Sequence, residues 1–284
     1  FWSGGAEGHT AFHGDWPTRK DAAMQAYLEW LPVRGTSPSR GGHIYRTLRF
    51  GTLAELHMLD LRSYRSAPGM IQPAARNAPD RTIMGSEQFE WLSGRLATAT
   101  TTWNLIGTSV MMAPLNLVHI DQGLRQQLMQ MVGLDVAGTP VNVDQWDGYV
   151  ADRDRLLDQL AAQHPDGRTV FLTGDIHSEW ANHIWHGDRI VAAELVCSSI
   201  TAANVDEFLG AAEDNPVSQT AERHVLAHNR HISHVDLDAH GYALLTVRPA
   251  GVEMSWQRVL DVTVAGSPVV AGPRMRYDGA LVTS

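Results

Sequence analysis

The stretch Thr169-Val170-Phe171-Leu172-Thr173-Gly174-Asp175-Ile176-His177-Ser178 constrains this chain more than any other: an apolar run of β-formers stops at a glycine and then delivers an aspartate and a histidine. A run this short and this apolar predicts a central strand of a sheet covered on both faces, since a half-wetted strand alternates instead. In open α/β architectures the ligand crevice lies beyond the carboxyl ends of such strands. Gly174 is expected to turn the chain, leaving Asp175 and His177, two residues apart in an extended segment, facing the same side. An oxygen and a nitrogen donor side by side suit a hard or borderline cation such as iron, zinc, manganese or calcium. In isolation the pattern is also an ordinary Gly-Asp turn with a polar neighbour, so its meaning depends on the rest of the chain.

At 284 residues, 44% hydrophobic and 19% charged, the chain has the bulk of a globular α/β protein. No linker, repeat or low-complexity segment divides it, and one domain over residues 1–284 is expected. The formal charge of −9 argues against a general nucleic-acid binder, which needs a basic stripe to neutralise phosphates. A small anionic substrate remains compatible with that charge if metal ions supply positive charge locally. The lone Cys197, in the apolar run Ile190 to Cys197, rules out an intrachain disulfide and reads as a small core residue. No apolar run approaches the length of a membrane span.

Helix and strand signals alternate along the chain. Asp15-Trp16-Pro17-Thr18 offers a cap and a first-turn proline, and Ala22, Ala23, Ala26, Tyr27 and Trp30 recur at helical spacing, predicting an amphipathic helix that ends before Pro32. Ile44 to Phe50 and Leu53 to Leu61 predict a hairpin. Leu59-Asp60-Leu61-Arg62-Ser63-Tyr64-Arg65 packs charge directly after an apolar run; an ion pair pinning a loop is preferred there over a site wall. Ser86 is expected to cap a helix through Leu96, and Trp103 to Gly107 to form a buried strand. Met111 to Gln145 reads as a long surface excursion with one helical piece around Leu124 to Met131. Arg153 to Leu160 predicts a helix, and Tyr242 to Val247 with Val252 to Val259 a second hairpin whose Glu253, Ser255 and Gln257 face is wet.

His224, His228, His231, His234 and His240 are crowded together, and His224 with His228 has the spacing that puts two imidazoles on one helix face. A zincin needs Glu after the first histidine, where Val225 stands. Asn229, His231 and His240 border the last strands and could reach the sheet end that carries Asp175. No nucleophile elbow, P-loop or dinucleotide glycine fingerprint is present.

Taken together, these segments resemble the PhoD-like alkaline phosphatase family. Arg19-Lys20-Asp21-Ala22-Ala23 through Trp30-Leu31-Pro32-Val33-Arg34, Leu59 to Arg65, Gly85-Ser86-Glu87-Gln88-Phe89-Glu90-Trp91-Leu92, Trp146-Asp147-Gly148-Tyr149, Leu172 to His177, and Glu194-Leu195-Val196 with Ser198-Ser199-Ile200-Thr201 are similar to the family's motifs, in the right order. The resemblance implies a metallophosphatase-like four-layer α/β/β/α sandwich. It further implies a metal-dependent phosphomonoesterase or phosphodiesterase acting on a small phosphoester, with iron and calcium as cofactors, exported by the twin-arginine route. Asp175 and His177 match the motif that supplies metal ligands. Asn229 and His231 match a segment "NxHI", and His240 the position before "GY" near bound phosphate. Asn229 and His240 are thereby expected to take part in catalysis, and Asn229, His231 and His240 to contact substrate.

The family's amino-terminal metal motifs have no counterpart in this sequence, which also opens without an initiator methionine or a signal peptide. An N-terminally incomplete domain is therefore expected. Two alternatives stand beside the phosphoesterase: a non-catalytic fragment or binding module with half a metal site, and a zinc hydrolase using the His224 to His240 cluster.

Overall fold

The β-hairpin expected near the amino-terminal end forms the edge of the principal sheet: β1 (Arg46–Phe50) pairs antiparallel with β2 (Ala54–Met58), with Arg46 opposite Met58. The computed structural model describes residues 9–36, 42–67, 76–115, 143–164 and 166–284. From β2 the sheet continues through β3 (Trp103–Thr108), β4 (Thr169–Thr173), β6 (Arg189–Val196), β5 (Glu179–His186) and β7 (Ile232–Asp236), seven strands in the order β1-β2-β3-β4-β6-β5-β7. β2, β3, β4 and β6 run parallel, and β5 is antiparallel to both β6 and β7. The apolar run that opens the sequence argument is thus a central strand, covered on both sides.

One face of this sheet carries the helices. α2 (Ser86–Ala97), α3 (Val150–Gln163) and α5 (Pro216–His228) bring Leu92, Leu96, Leu156, Leu160 and Val225 into a core with Ile106, Phe171, Trp180, Ile184 and Val196. Between α3 and α5 lies the short α4 (Val205–Leu209). Leu105, Val170, Ala193 and Leu195 point the opposite way, as strand alternation requires. They pack on Val252, Met254, Trp256, Met275 and Tyr277 of a second sheet, β11-β10-β9-β8, built from β8 (Gly241–Arg248), β9 (Gly251–Val259), β10 (Val269–Tyr277) and β11 (Leu281–Thr283).

Large side chains with polar tips tie the two sheets. Trp256 Nε1 donates to the Val196 carbonyl at 2.9 Å, Tyr277 Oη to that of Gly167 at 2.8 Å, and Trp103 Nε1 to that of Arg248 at 2.8 Å. Each buries its rings and still satisfies its one donor. A charged clamp adds to them: Arg258 of β9 reaches Glu179 of β5 at 2.5 Å and Asp236 of β7 at 2.6 Å, and Glu179 is almost wholly buried.

The architecture is the α/β sandwich that the sequence implies. Helices, principal sheet and second sheet make up its layers among the described residues. The outer face of the second sheet, with Tyr242 and Leu244 exposed, carries no helix among them. Some local expectations need correction. Gly85, not Ser86, is the N-cap of α2. α1 (Trp16–Trp30) forms, with Asp15 accepting from the Thr18 amide at 2.9 Å, yet none of its residues is fully buried: Met24 and Leu28 are half-covered, and Tyr27 and Trp30 are exposed. The helical piece at Leu124 to Met131 lies outside the described residues.

Candidate active site

β4 ends at Thr173, and the backbone then turns in an unexpected way. Asp175 and His177 both have positive φ, at 72° and 54°, whereas Gly174 does not. The segment is therefore not extended. Two non-glycine residues hold left-handed conformations, each costing about 1–2 kcal/mol relative to ordinary backbone, and such strain persists only where the surroundings fix it. The Gly174 turn proposed from the sequence is replaced by a tighter one that falls on the two candidate ligands themselves.

Side chains from distant segments define this sheet end. Asp60, after β2, accepts from the amides of Arg62 and Ser63 at 3.0 and 2.9 Å, and Gln88 of α2 grips the Asp60 backbone on both sides at 2.8 Å. The turn so fixed aims Arg62 between two carboxylates: its Nη1 lies 2.5 Å from Asp144, and its Nη2 3.4 Å from Asp175. Arg65, wholly buried at its side chain, takes the other oxygen of Asp144 at 2.6 Å. The charged turn thus pins a loop, as expected, and also borders the sheet end that carries Asp175. The density of charge in Leu59 to Arg65 is the one sequence signal for it.

His177 Nδ1 lies 2.8 Å from the Ala203 carbonyl, which accepts its proton. That contact fixes the tautomer and leaves Nε2 with a lone pair, the arrangement in which metal-ligating histidines are found. The same loop receives His240: Ser199 Oγ lies 3.3 Å from its Nδ1, while Glu207 of α4 lies 3.2 Å from its Nε2. Residues 198–204 thus stand between His177 and His240 and touch both. Asn204 anchors the loop by donating to the carbonyls of Asp238 and Ala239 at 2.7 and 3.0 Å. Gly241 then starts β8 so close to β9 that a Cβ there would lie 2.0 Å from the Gln257 carbonyl, which explains why glycine follows His240.

Deeper in, Glu194 of β6 is completely buried and accepts from the amides of Met112 and Ala113 at 2.7 and 2.9 Å, Thr173 Oγ1 at 2.7 Å and Asn182 Nδ2 at 3.0 Å. Burial pushes its carboxyl up from the usual range, opposed by these four donors. It fastens the loop after β3 to the last residue of β4.

Asn229 and His231 are not part of this group, and their expected place beside Asp175 is corrected. β7 pairs Asp236 with Glu179 and Ile232 with Asn182, so the start of β7 lies away from the end that carries Asp175. The Asn229 amide is buried and donates to the Val225 carbonyl at 3.0 Å; His231 Nε2 donates to that of Pro114 at 2.7 Å. The other histidines do not converge either. His224 and His228 stack at 4.1 Å on α5, and His234 lies 3.3 Å from Glu179. No three metal-ligating side chains converge among the described residues, which leaves the zinc-hydrolase alternative without a ligand set. Asp175 and His177 offer one oxygen and one nitrogen donor of the types a hard or borderline cation takes, and other donors would have to be added.

The family model described as PhoD-like phosphatase matches residues 2–256 of this chain. Alkaline phosphatase D of Bacillus subtilis (strain 168) is 30% identical over 267 residues, covering 88% of this chain and 40% of that protein. A solved structure described as "Structure of PhoD" is similar with a TM-score of 0.78 at 26% identity, over 93% of this chain and 48% of that one. The chain thus spans less than half the length of either relative.

Proposed function

The chain belongs to the PhoD-like phosphatase family, and we propose that the sheet end holding Asp175, His177, Arg62 and His240 is the site of a metal-dependent phosphoester hydrolase. The observation that carries this is the His177 to Ala203 contact, which ties up Nδ1 and leaves Nε2 as the ring nitrogen open to a cation, two residues from Asp175. In this reading Asp175 and His177 hold metal, and iron with calcium are the cations we propose from the family resemblance. Asp175 and His177 would hold such a cation, which would supply positive charge to polarise phosphate oxygens and acidify water.

The protein's own groups do the rest. Arg62 supplies a fixed positive charge that can shift from Asp175 to a phosphate oxygen, since a guanidinium meets phosphate as readily as carboxylate. In this reading His240, which contacts Ser199 and Glu207, donates a hydrogen bond or proton to phosphate or its leaving group in exchange for its contact with Glu207. Asn229 and His231, anchored elsewhere, are left out of the mechanism. The substrate is proposed to be a small phosphomonoester or diester, and the enzyme to act outside the cytoplasm. No helix among the described residues is long and apolar enough to cross a membrane.

The test is hydrolysis of a chromogenic phosphate mono- and diester, before and after chelation, with bound metal measured by atomic absorption on the same samples. Hydrolysis that falls with metal content and returns on iron and calcium addition is expected. Absence of hydrolysis in fully metal-loaded protein overturns the reading.

A further inference from the structure

A cavity lies away from the proposed metal end. It encloses about 380 Å³ and is walled by His183, Trp185, Arg230 and His231 over an apolar floor that includes Met112 and Leu157. His183 pairs with Ala193, which pairs with Val170. Thr173 lies three residues further along β4, roughly 10 Å at strand rise, and Asp175 beyond that. The two sites therefore occupy different ends of the sheet.

The wall is rich in donors. A bulge at Ile184 and Trp185 interrupts the β5–β6 register and brings both residues to the cavity. Trp185 Nε1 is buried and has no acceptor. An unmet buried donor costs roughly 1–3 kcal/mol, so an acceptor that reached this one from the cavity would be stabilised by it. The guanidinium of Arg230 lies 5.1 Å from the centre of the Trp185 ring, and it forms no ion pair among the described residues. Arg153, also on the wall, is already balanced by Asp147 at 2.6 Å, with Asp154 further out at the rim. Burial holds His231 below its usual range, reinforced by Arg153 and Arg230, and burial likewise lowers His183. Their Nε2 atoms are occupied, His231 donating to Pro114 and His183 accepting from the Leu281 amide at 2.9 Å.

We infer that this cavity binds a small oxyanion, the phosphate or carboxylate group of a compact, partly apolar ligand, through Arg230 and the Trp185 indole N–H. One unpaired guanidinium beside one unmet N–H is the pairing such a group satisfies, and the apolar floor accepts the body that carries it. The site is separate from the proposed phosphoester chemistry and does not depend on it. It also gives the segment Asn229 to His231 a role: Asn229 closes α5, and the next two residues form a wall of the cavity.

The test uses the chain in chelator, so that the metal end does not report. The indole ¹⁵N–¹H resonance of Trp185, identified by its loss in Trp185→Phe, is followed during separate titrations with inorganic phosphate and with acetate. A saturable shift is expected, at least tenfold weaker in Arg230→Gln and unchanged in Asp175→Asn. A response to phosphate alone assigns a phosphorylated ligand, and a response to both assigns the shared oxyanion chemistry. No saturable shift with either anion, a shift that survives Arg230→Gln, or one abolished by Asp175→Asn overturns the inference. Arg230 is exposed, so its variant keeps the fold and a negative result is informative.

Discussion

Arg62 and Asp175, 113 residues apart in the chain, meet at the carboxyl end of β4, with Arg62 Nη2 at 3.4 Å from both carboxylate oxygens. Arg62 is held there by its shorter contact with Asp144, which is itself secured by Arg65. Under the proposed function, a cation held by Asp175 would compete with this guanidinium and leave Arg62 to face substrate. Arg62→Gln should leave the fold intact, because Arg65 still pairs with Asp144 and the Asp175 contact is partly exposed. KM for a chromogenic phosphoester should rise about tenfold, equivalent to about 1.4 kcal/mol of lost binding. An unchanged KM in steady-state assays would remove Arg62 from the site.

The left-handed backbone at Asp175 separates stability from function. Asp175→Gly should unfold at higher denaturant than Asp175→Ala, by about 1 kcal/mol, because alanine meets the steric penalty that glycine avoids. Both should lose bound metal to the same extent. Equal stabilities in chemical denaturation would show that the turn relaxes.

Glu222 on α5 sits in a half-buried acidic neighbourhood with Asp236, Asp238 and Asp214, and burial first, then these charges, push its carboxyl up to about 7 against an ordinary 4.5. The folded state thus binds a proton that the unfolded state has released between those values. Stability from this group is complete below 4.5 and is lost as pH rises through about 7. Glu222→Gln, which keeps an acceptor for the Leu237 amide, should match the wild type near pH 4.5 and melt above it at pH 8. Thermal denaturation across that range checks the sign.

Gly241→Ala should cost at least about 2 kcal/mol, since the Gln257 carbonyl stands where the methyl would go and neither backbone can yield without breaking the β8–β9 ladder. His240 would move with it. Activity should therefore fall more than stability alone accounts for, measured well below the melting temperature.

The sequence makes the parts of this fold legible where one local pattern has one physical outcome. The Val252, Met254 and Trp256 face of β9 is buried as alternation demands, and the apolar run before Gly174 is a central strand. It is silent where the outcome is set by distant partners. Nothing in the Asp175 to His177 spacing shows that both residues adopt positive φ, because that geometry is imposed from outside, by contacts such as Ala203 with His177 and Arg62 with Asp175. The His224 to His240 crowding misleads for a related reason. Strand β7 carries the chain from one end of the sheet to the other, so His231 and His240, close in sequence, belong to opposite ends. α1 has a helical repeat of apolar residues, but periodicity reports a face and not what covers it.

Asp175 and His177 hang from the principal sheet, whereas His240 leads into the second one. Their alignment is therefore a reading of how the two sheets are set against each other, and Arg258, opposite Gly241 in the β8–β9 pairing and bridged to Glu179 and Asp236, is the bolt that keeps that setting. A chain loosened at Arg258 would leave Glu179 buried without its guanidinium and would lose the contact that sets the sheet of Asp175 and His177 against that of His240. Under the proposed function, phosphoester hydrolysis would then report how the two layers are seated on one another as much as the chemistry of any single side chain.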